Sequence, residues 1–249
     1  MSEHILIERA GAVLEIRFNR PDKKNAITNA MYGAMADALE AAAKDDGIRV
    51  ILFTGAGDYF TAGNDLKDFA DQGAGTFTGP RHVNRFLPAV ITAEKPIVAA
   101  VAGHAVGVGV TMLLHCDLVY VAETSKLTTP FVNLALLPEN ASSLTIPARI
   151  GHAKAFAMLG LCEPMSGGEA AATGIANAAL PAAEVEAKAR TAAAALAQKP
   201  PQALKITKRL LRSDTNALVK RMQEEGELFG QQLKSPEAAA AFQAFFAKK

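Results

Sequence analysis

Val50-Ile-Leu-Phe-Thr-Gly-Ala-Gly-Asp-Tyr-Phe-Thr-Ala-Gly-Asn-Asp-Leu66 runs from a short apolar stretch through a glycine-rich turn into the start of a helix near Asn64. An unbroken apolar run of this kind belongs to a strand buried on both faces. The pattern returns in Ile97-Val-Ala-Ala-Val-Ala-Gly-His-Ala-Val-Gly-Val-Gly-Val-Thr111, where a buried strand over 97–101 meets glycines and then a helix over 108–116. Short buried strands alternating with helices predict a mixed α/β core with crossovers between roughly parallel strands.

Working outward, residues 5–9 and 13–18 flank Ala10-Gly11 with hairpin spacing. Thr28 is placed to cap a helix reaching about Lys44. Downstream come a strand over 117–122, a loop over 130–140 and helical pattern from Ser142, interrupted at 175–180. Residues 71–80, rich in Gly and Thr, read as a mobile loop. Pro200 and Pro201 stand where a last helical arm begins, since a first turn tolerates proline.

Composition narrows the function classes. Half of the 249 residues are hydrophobic and 20% are charged, which excludes a disordered chain. Lys and Arg number 26 against 25 Asp and Glu, so no basic excess points to nucleic acid. Two cysteines with no spaced Cys/His cluster exclude a disulfide framework and a structural zinc site. The start, Met1-Ser-Glu-His-Ile-Leu-Ile-Glu-Arg9, lacks the basic start and long apolar stretch of a secretory signal. The longest apolar region, 97–114, is broken by Gly103, His104, Gly107 and Gly109, so no membrane span is expected. The expectation is a cytoplasmic protein with no membrane or nucleic-acid partner.

Both strand-to-helix turns bear on chemistry. A helix start leaves backbone N–H groups without partners and carries the positive end of the helix dipole. Oxyanions and phosphates bind there. Two such turns converging on one carbonyl oxygen make an oxyanion hole, in which one donor is worth about 2.7–4 kcal/mol. Each turn alone is also consistent with simple chain reversal. The second lacks the Lys-Ser/Thr of a Walker loop and the full G-x-G-x-x-G pattern. His104 reads as a hydrogen-bonded turn residue rather than a base. Glu139, in Leu136-Leu-Pro-Glu-Asn-Ala-Ser-Ser143, precedes a helix that Asn140 or Ser142 could cap. Such a loop is ordinarily exposed; packed against neighbouring Leu and Phe, its carboxyl would be raised toward the range useful for a base.

Taken in order, these motifs resemble the crotonase superfamily of enoyl-CoA hydratases and isomerases. Phe18-Asn-Arg-Pro-Asp-Lys-Lys-Asn-Ala-Ile27, Gly57-Asp-Tyr-Phe-Thr-Ala-Gly-Asn-Asp-Leu-Lys67 and Lys95-Pro-Ile-Val-Ala-Ala-Val-Ala-Gly-His-Ala-Val-Gly-Val-Gly109 are similar to its three signature segments, over about residues 5–200. The resemblance implies a spiral of ββα units over residues 1–198 and a helical oligomerisation region over 199–249, forming trimers or hexamers. It implies an acyl-CoA substrate, lying along Lys24, Asn25, Ala26, Ala62, Gly63, Asn64, Asp65, Leu66 and Lys67. The backbone N–H groups of Asn64 and Val108 would hold its thioester oxygen. No metal or redox cofactor is implied.

The hydratases of that family use two glutamates, and at the matching positions this chain has Thr111 and Phe131. Residues 106–143 are instead similar to the peroxisomal-type Δ3,Δ2-enoyl-CoA isomerases, which place one glutamate where this chain has Glu139. The implied reaction moves the double bond of a 3-enoyl-CoA to the trans-2 position, Glu139 carrying the proton while Leu136, Leu137 and Phe131 wall off water. Asn140 departs from the glycine common in that branch. Another crotonase reaction, such as hydration, and a non-catalytic CoA-ester binder are the alternatives. The helically spaced Lys205, Lys208, Arg209 and Arg212 read as a solvated or subunit-facing surface.

Overall fold

The computed structural model describes residues 2–212 and 214–247; Met1, Ser213, Lys248 and Lys249, which fall in the two expected regions, lie outside the described residues. The chain begins with a hairpin, β1 (Ile5–Ala10) and β2 (Val13–Phe18), paired antiparallel. Helix α1 (Asn29–Lys44) follows, its first turn closed by the Thr28 side chain, which accepts the Met31 N–H. Next come β3 (Val50–Gly55), β4 (Tyr59–Thr61), α2 (Leu66–Gly73) and α3 (Val83–Thr92). The second turn of the spiral is β5 (Ile97–Val101), β6 (His104–Val106) and the short α4 (Val108–Thr111), which a 3-10 turn prolongs to His115. The third is β7 (Leu118–Ala122), β8 (Lys126–Thr128), α5 (Ser142–Ile150) and α6 (His152–Leu159). Strand β9 (Met165–Ser166), α7 (Gly167–Ala172), β10 (Ala178–Leu180) and α8 (Ala182–Ala197) complete it. Helices α9 (Pro201–Leu211), α10 (Thr215–Gln232) and α11 (Pro236–Ala247) make up the C-terminal part.

The hairpin β1-β2 lies wholly in a larger sheet, ordered β1-β2-β3-β5-β7-β10, and each later ββ pair gives one strand to it and one to a smaller sheet, ordered β4-β6-β8-β9. The large sheet is parallel from β2 onward, as the alternation of strands and helices implies. Both of its faces are covered. Val185, Ala189 and Ala193, one helical turn apart on α8, pack on Val50, Leu52, Val98 and Ala100. The opposite side chains of the same strands, among them Ile51, Phe53, Ile97 and Ala99, join Met31 and Met35 of α1 in the main core. That double burial accounts for apolar runs that do not alternate with polar residues.

Three expectations are corrected. Helix α2 begins at Leu66 rather than Asn64, and it runs through Asp71 into the segment read as a loop. Helix α3 was not foreseen, because Pro88 stands inside it. The basic cluster on α9 is only partly a surface. Lys208 is buried, donating to the Lys95 carbonyl (2.6 Å) and to Asp117 (2.7 Å). Arg212 donates to the carbonyls of Ile91 and His115, while Lys205 pairs with Glu94 in solvent. Among the described residues, no helix is long and apolar enough to cross a membrane.

Candidate active site

The small sheet brings the two glycine-rich turns together. Strands β4 and β6 run parallel with Tyr59 opposite His104 and Thr61 opposite Ala105, so both chains leave the sheet at the same edge. Gly63, at φ +82°, lies where a Cβ would sit 2.8 Å from the Val106 carbonyl oxygen. Gly107, at φ +56°, turns the chain into α4. Only glycine allows this approach and these backbone angles.

The same geometry frees two donors. Ile27 and Asn64 form a parallel bridge through the Gly63 carbonyl (2.8 Å) and the Asp65 N–H (2.9 Å), which turns Asn64's own N–H away from Ile27. Val108 is the first residue of α4, where a helix has no carbonyl to offer its N–H. Among the described residues, neither N–H has an acceptor. His104 is a hydrogen-bonded turn residue, its Nδ1 accepting the Lys126 N–H at 3.1 Å.

A cavity of about 780 Å³ adjoins both turns. Lys24, Ala26, Ala62, Gly63, Asn64, Asp65, Leu66 and Lys67 are on its wall, together with Arg20 and Lys23. Lys24 holds its Nζ 5.1 Å from the centre of the Tyr59 ring, and Arg20 pairs with Asp65 at 2.7 Å. Phe69, Phe131, Leu134 and Leu136 supply an apolar side, joined by Phe245 and Phe246 of α11. Asn25 is not on the wall. Fully buried, it accepts the Arg20 N–H (2.8 Å) and donates to the carbonyls of Ala56 (2.9 Å) and Tyr59 (2.6 Å), tying the 20–26 segment to β4. Leu137, expected beside Leu136, is half-buried and off the wall as well.

Glu139 is only 8% exposed. Burial, and next the negative charge of Glu225, push its carboxyl up to about 8; a hydrogen bond with the Asn64 side chain works the other way. The Tyr32 hydroxyl donates to Asn64 Oδ1 at 2.5 Å, which leaves the amide NH2 of Asn64 to face Glu139. The Tyr32 hydroxyl is itself held well above its ordinary value by burial and by the Glu139 charge. Glu139 Oε1 has no hydrogen-bond partner among the described residues. Glu139 does not line the cavity; Asn64, which does, links the two.

The backbone after Glu139 is strained. Asn140 (φ +61°) and Ala141 (φ +57°) are both left-handed. Asparagine is among the few residues that adopt this conformation readily, so Asn140 keeps the turn a glycine would make. Ala141 is the N-cap of α5 and has no side chain to cap it, a correction to the expectation that Asn140 or Ser142 does so. Two distant residues hold the turn. Glu225 accepts the N–H of Ala141 (2.6 Å) and of Ser143 (2.9 Å). His115 stands 2.7 Å through Nε2 from the Asn140 carbonyl; burial first pushes its pKa down to about 4, so it is neutral and donates. No local pattern could have revealed Tyr32, His115 and Glu225, which come from other elements. Thr111 is buried with its hydroxyl 3.5 Å from the Val108 carbonyl, and Phe131 lines the cavity.

The sequence profile of the enoyl-CoA hydratase/isomerase family matches residues 8–249. Enoyl-CoA delta isomerase 2 of Rattus norvegicus is 37% identical over 228 residues, 90% of this chain and 58% of that protein. The 2,3-dehydroadipyl-CoA hydratase of Escherichia coli is 31% identical over 92% of this chain and 89% of its own length. The solved structure of Pseudomonas aeruginosa OdaA is 46% identical, covers 98% of this chain and 99% of its own, and superposes with a TM-score of 0.93. The chain thus spans little more than half of the rat isomerase and nearly all of the two bacterial proteins.

Proposed function

The chain belongs to the enoyl-CoA hydratase/isomerase family, and we propose that within this family it is a Δ3,Δ2-enoyl-CoA isomerase. The observation that carries the reading is Glu139: a buried carboxyl raised to about 8, beside Asn64, with one oxygen unpartnered. Hydration needs one group to activate water and another to deliver a proton. Thr111 and Phe131 supply neither. Glu225 spends both oxygens on backbone N–H groups.

In the proposed reaction the CoA moiety lies along Lys24, Ala26 and 62–67, its phosphates near Arg20, Lys23 and Lys67. The thioester oxygen takes the two N–H groups of Asn64 and Val108. Glu139 removes a proton from C2, the charge spreads over the dienolate onto that oxygen, and the same carboxyl returns the proton at C4. The proton leaves and re-enters the substrate, so the reaction calls for no metal or redox group. A carboxyl near 8 suits both halves of such a transfer. We also propose that the chain assembles into trimers or hexamers through α9, whose Leu210 and Leu211 are 76% and 82% exposed in the protomer.

The test is turnover of 3-hexenoyl-CoA by the wild type and by Glu139→Gln. The reading expects formation of 2-hexenoyl-CoA by the first and a loss of about 100- to 10,000-fold in the second. Equal turnover rejects Glu139 as the base. The resemblance to a hydratase favours hydration as the second reading; conversion of crotonyl-CoA to 3-hydroxybutyryl-CoA would establish it. A CoA-ester binder without chemistry would bind the thioester and exchange no C2 hydrogen in heavy water.

A further inference from the structure

Glu225 is an acidic residue that the reaction as written does not use. It lies on α10, within Gln223-Glu-Glu-Gly-Glu227, which by composition is a solvated helical face, yet it is only 6% exposed. Its two oxygens take the first N–H groups of a helix whose own N-cap is an alanine. Helix α10 is held in place for this by Leu218, packed with Ile91 and Ala141, and by Arg221, which donates to the Ser143 hydroxyl at 3.2 Å.

We propose that Glu225 is a positioning residue for Glu139: from α10 it clamps the left-handed turn at Asn140 and Ala141, sets the direction of the Glu139 carboxyl, and makes Glu139 the protonated member of a buried acidic pair. This rests on the isomerase reading for its activity arm only. The clamp on the Ala141 N–H and the His115 contact to the Asn140 carbonyl grip opposite ends of one peptide group, so the central peptide of a strained turn is fixed. Such strain persists only where the surroundings over-determine it. Burial raises the Glu225 carboxyl as well, but two backbone donors, the Ser143 hydroxyl and Arg221 oppose that rise, whereas Glu139 has an oxygen with no donor at all. The charged or titratable groups facing Glu139 from other elements are Tyr32 of α1 and Glu225; Arg221 faces Glu225 from its own helix.

The experiment compares the wild type, Glu225→Gln and Glu225→Asp by the pH dependence of kcat/KM on 3-hexenoyl-CoA and by carbon NMR titration of the Glu139 carboxyl. Glutamine keeps one acceptor and loses the charge. The expected result is a fall in kcat of about 10- to 100-fold, as for a misdirected catalytic group, with KM little changed. The acid limb and the Glu139 titration both move to lower pH. Aspartate keeps the charge, so it holds the limb in place and recovers part of the rate. If Glu225→Gln does not fold, the aspartate variant carries the test: a limb displaced as far as removal of the carboxylate would displace it overturns the proposal. So does a glutamine variant whose limb and titration stay put while activity falls only with the folded fraction. A wild type that does not isomerise 3-hexenoyl-CoA defeats the isomerase reading alone, since the Glu139 titration still reports on Glu225.

Discussion

Replacing Glu139 with glutamine should stabilise the protein, and increasingly so as the pH rises. In the folded chain the carboxyl titrates near 8, against an ordinary value of 4.5. Below 4.5 both folded and unfolded chains hold the proton, and the group has no effect on their balance. Between 4.5 and about 8 the unfolded chain releases it and the folded chain keeps it. The folded state then binds more protons, so stability falls with rising pH and levels off above about 8. At about 1.4 kcal/mol per pH unit, the interval from 4.5 to about 8 sets a ceiling of about 5 kcal/mol on this loss. Relaxation around a buried charge reduces it, and about 2–4 kcal/mol is expected. Glutamine has no proton to keep. The assay is urea unfolding of both proteins at fixed protomer concentration from about pH 5 to about pH 9. Titrations remote from Glu139 cancel in the difference between the two, and only groups coupled to it, Glu225 foremost, add to the signal. A difference that stays constant across that range refutes the view that Glu139 is a desolvated acid.

Further outcomes follow from the geometry. Asn25→Ala should cost about 2–3 kcal/mol in urea unfolding, because it empties a fully buried site and strips partners from half-buried backbone groups of Arg20, Ala56 and Tyr59 at once. Gly107→Ala meets no close atom, the nearest being Phe131 Cε1 at 3.8 Å, yet forces a non-glycine residue to φ +56° and ψ −119°. It should cost about 1–3 kcal/mol and, by turning the Val108 N–H, lower kcat by about 100-fold. Gly151→Ala, strained at φ +77° with open space around it, should lower stability and leave kcat unchanged. Lys208→Met leaves Asp117 and the Lys95 carbonyl without their buried partner and should lose about 2–4 kcal/mol by thermal unfolding, whereas Lys205→Met, at the solvent-exposed pair with Glu94, should show no measurable change.

What was legible in the sequence had a local physical cause. The strands β3 and β5 announce themselves because both faces are buried, so no polar residue interrupts them. The cap at Thr28 and the turn at Ala10-Gly11 depend on neighbours a few residues away. The small sheet escaped notice because its strands are two or three residues long, too short for any period to show. Helix α3 was hidden by Pro88, and the ββα repeat by the absence of any repeated residues to mark it.

By itself the sequence determined the covered parallel sheet and the two glycine turns, because backbone conformation at those positions depends on which side chains are missing nearby; the free N–H of Asn64 needed the bridge to Ile27. It also placed a carboxylate at 139. Tertiary structure alone decided what that carboxylate is. Its burial, the Asn64 amide turned toward it by Tyr32, and the charge of Glu225 arriving from α10 are properties of a place in space. The energy of a charge depends on everything within several ångströms of it, and the chain brings those neighbours from distant elements on both sides of it in sequence.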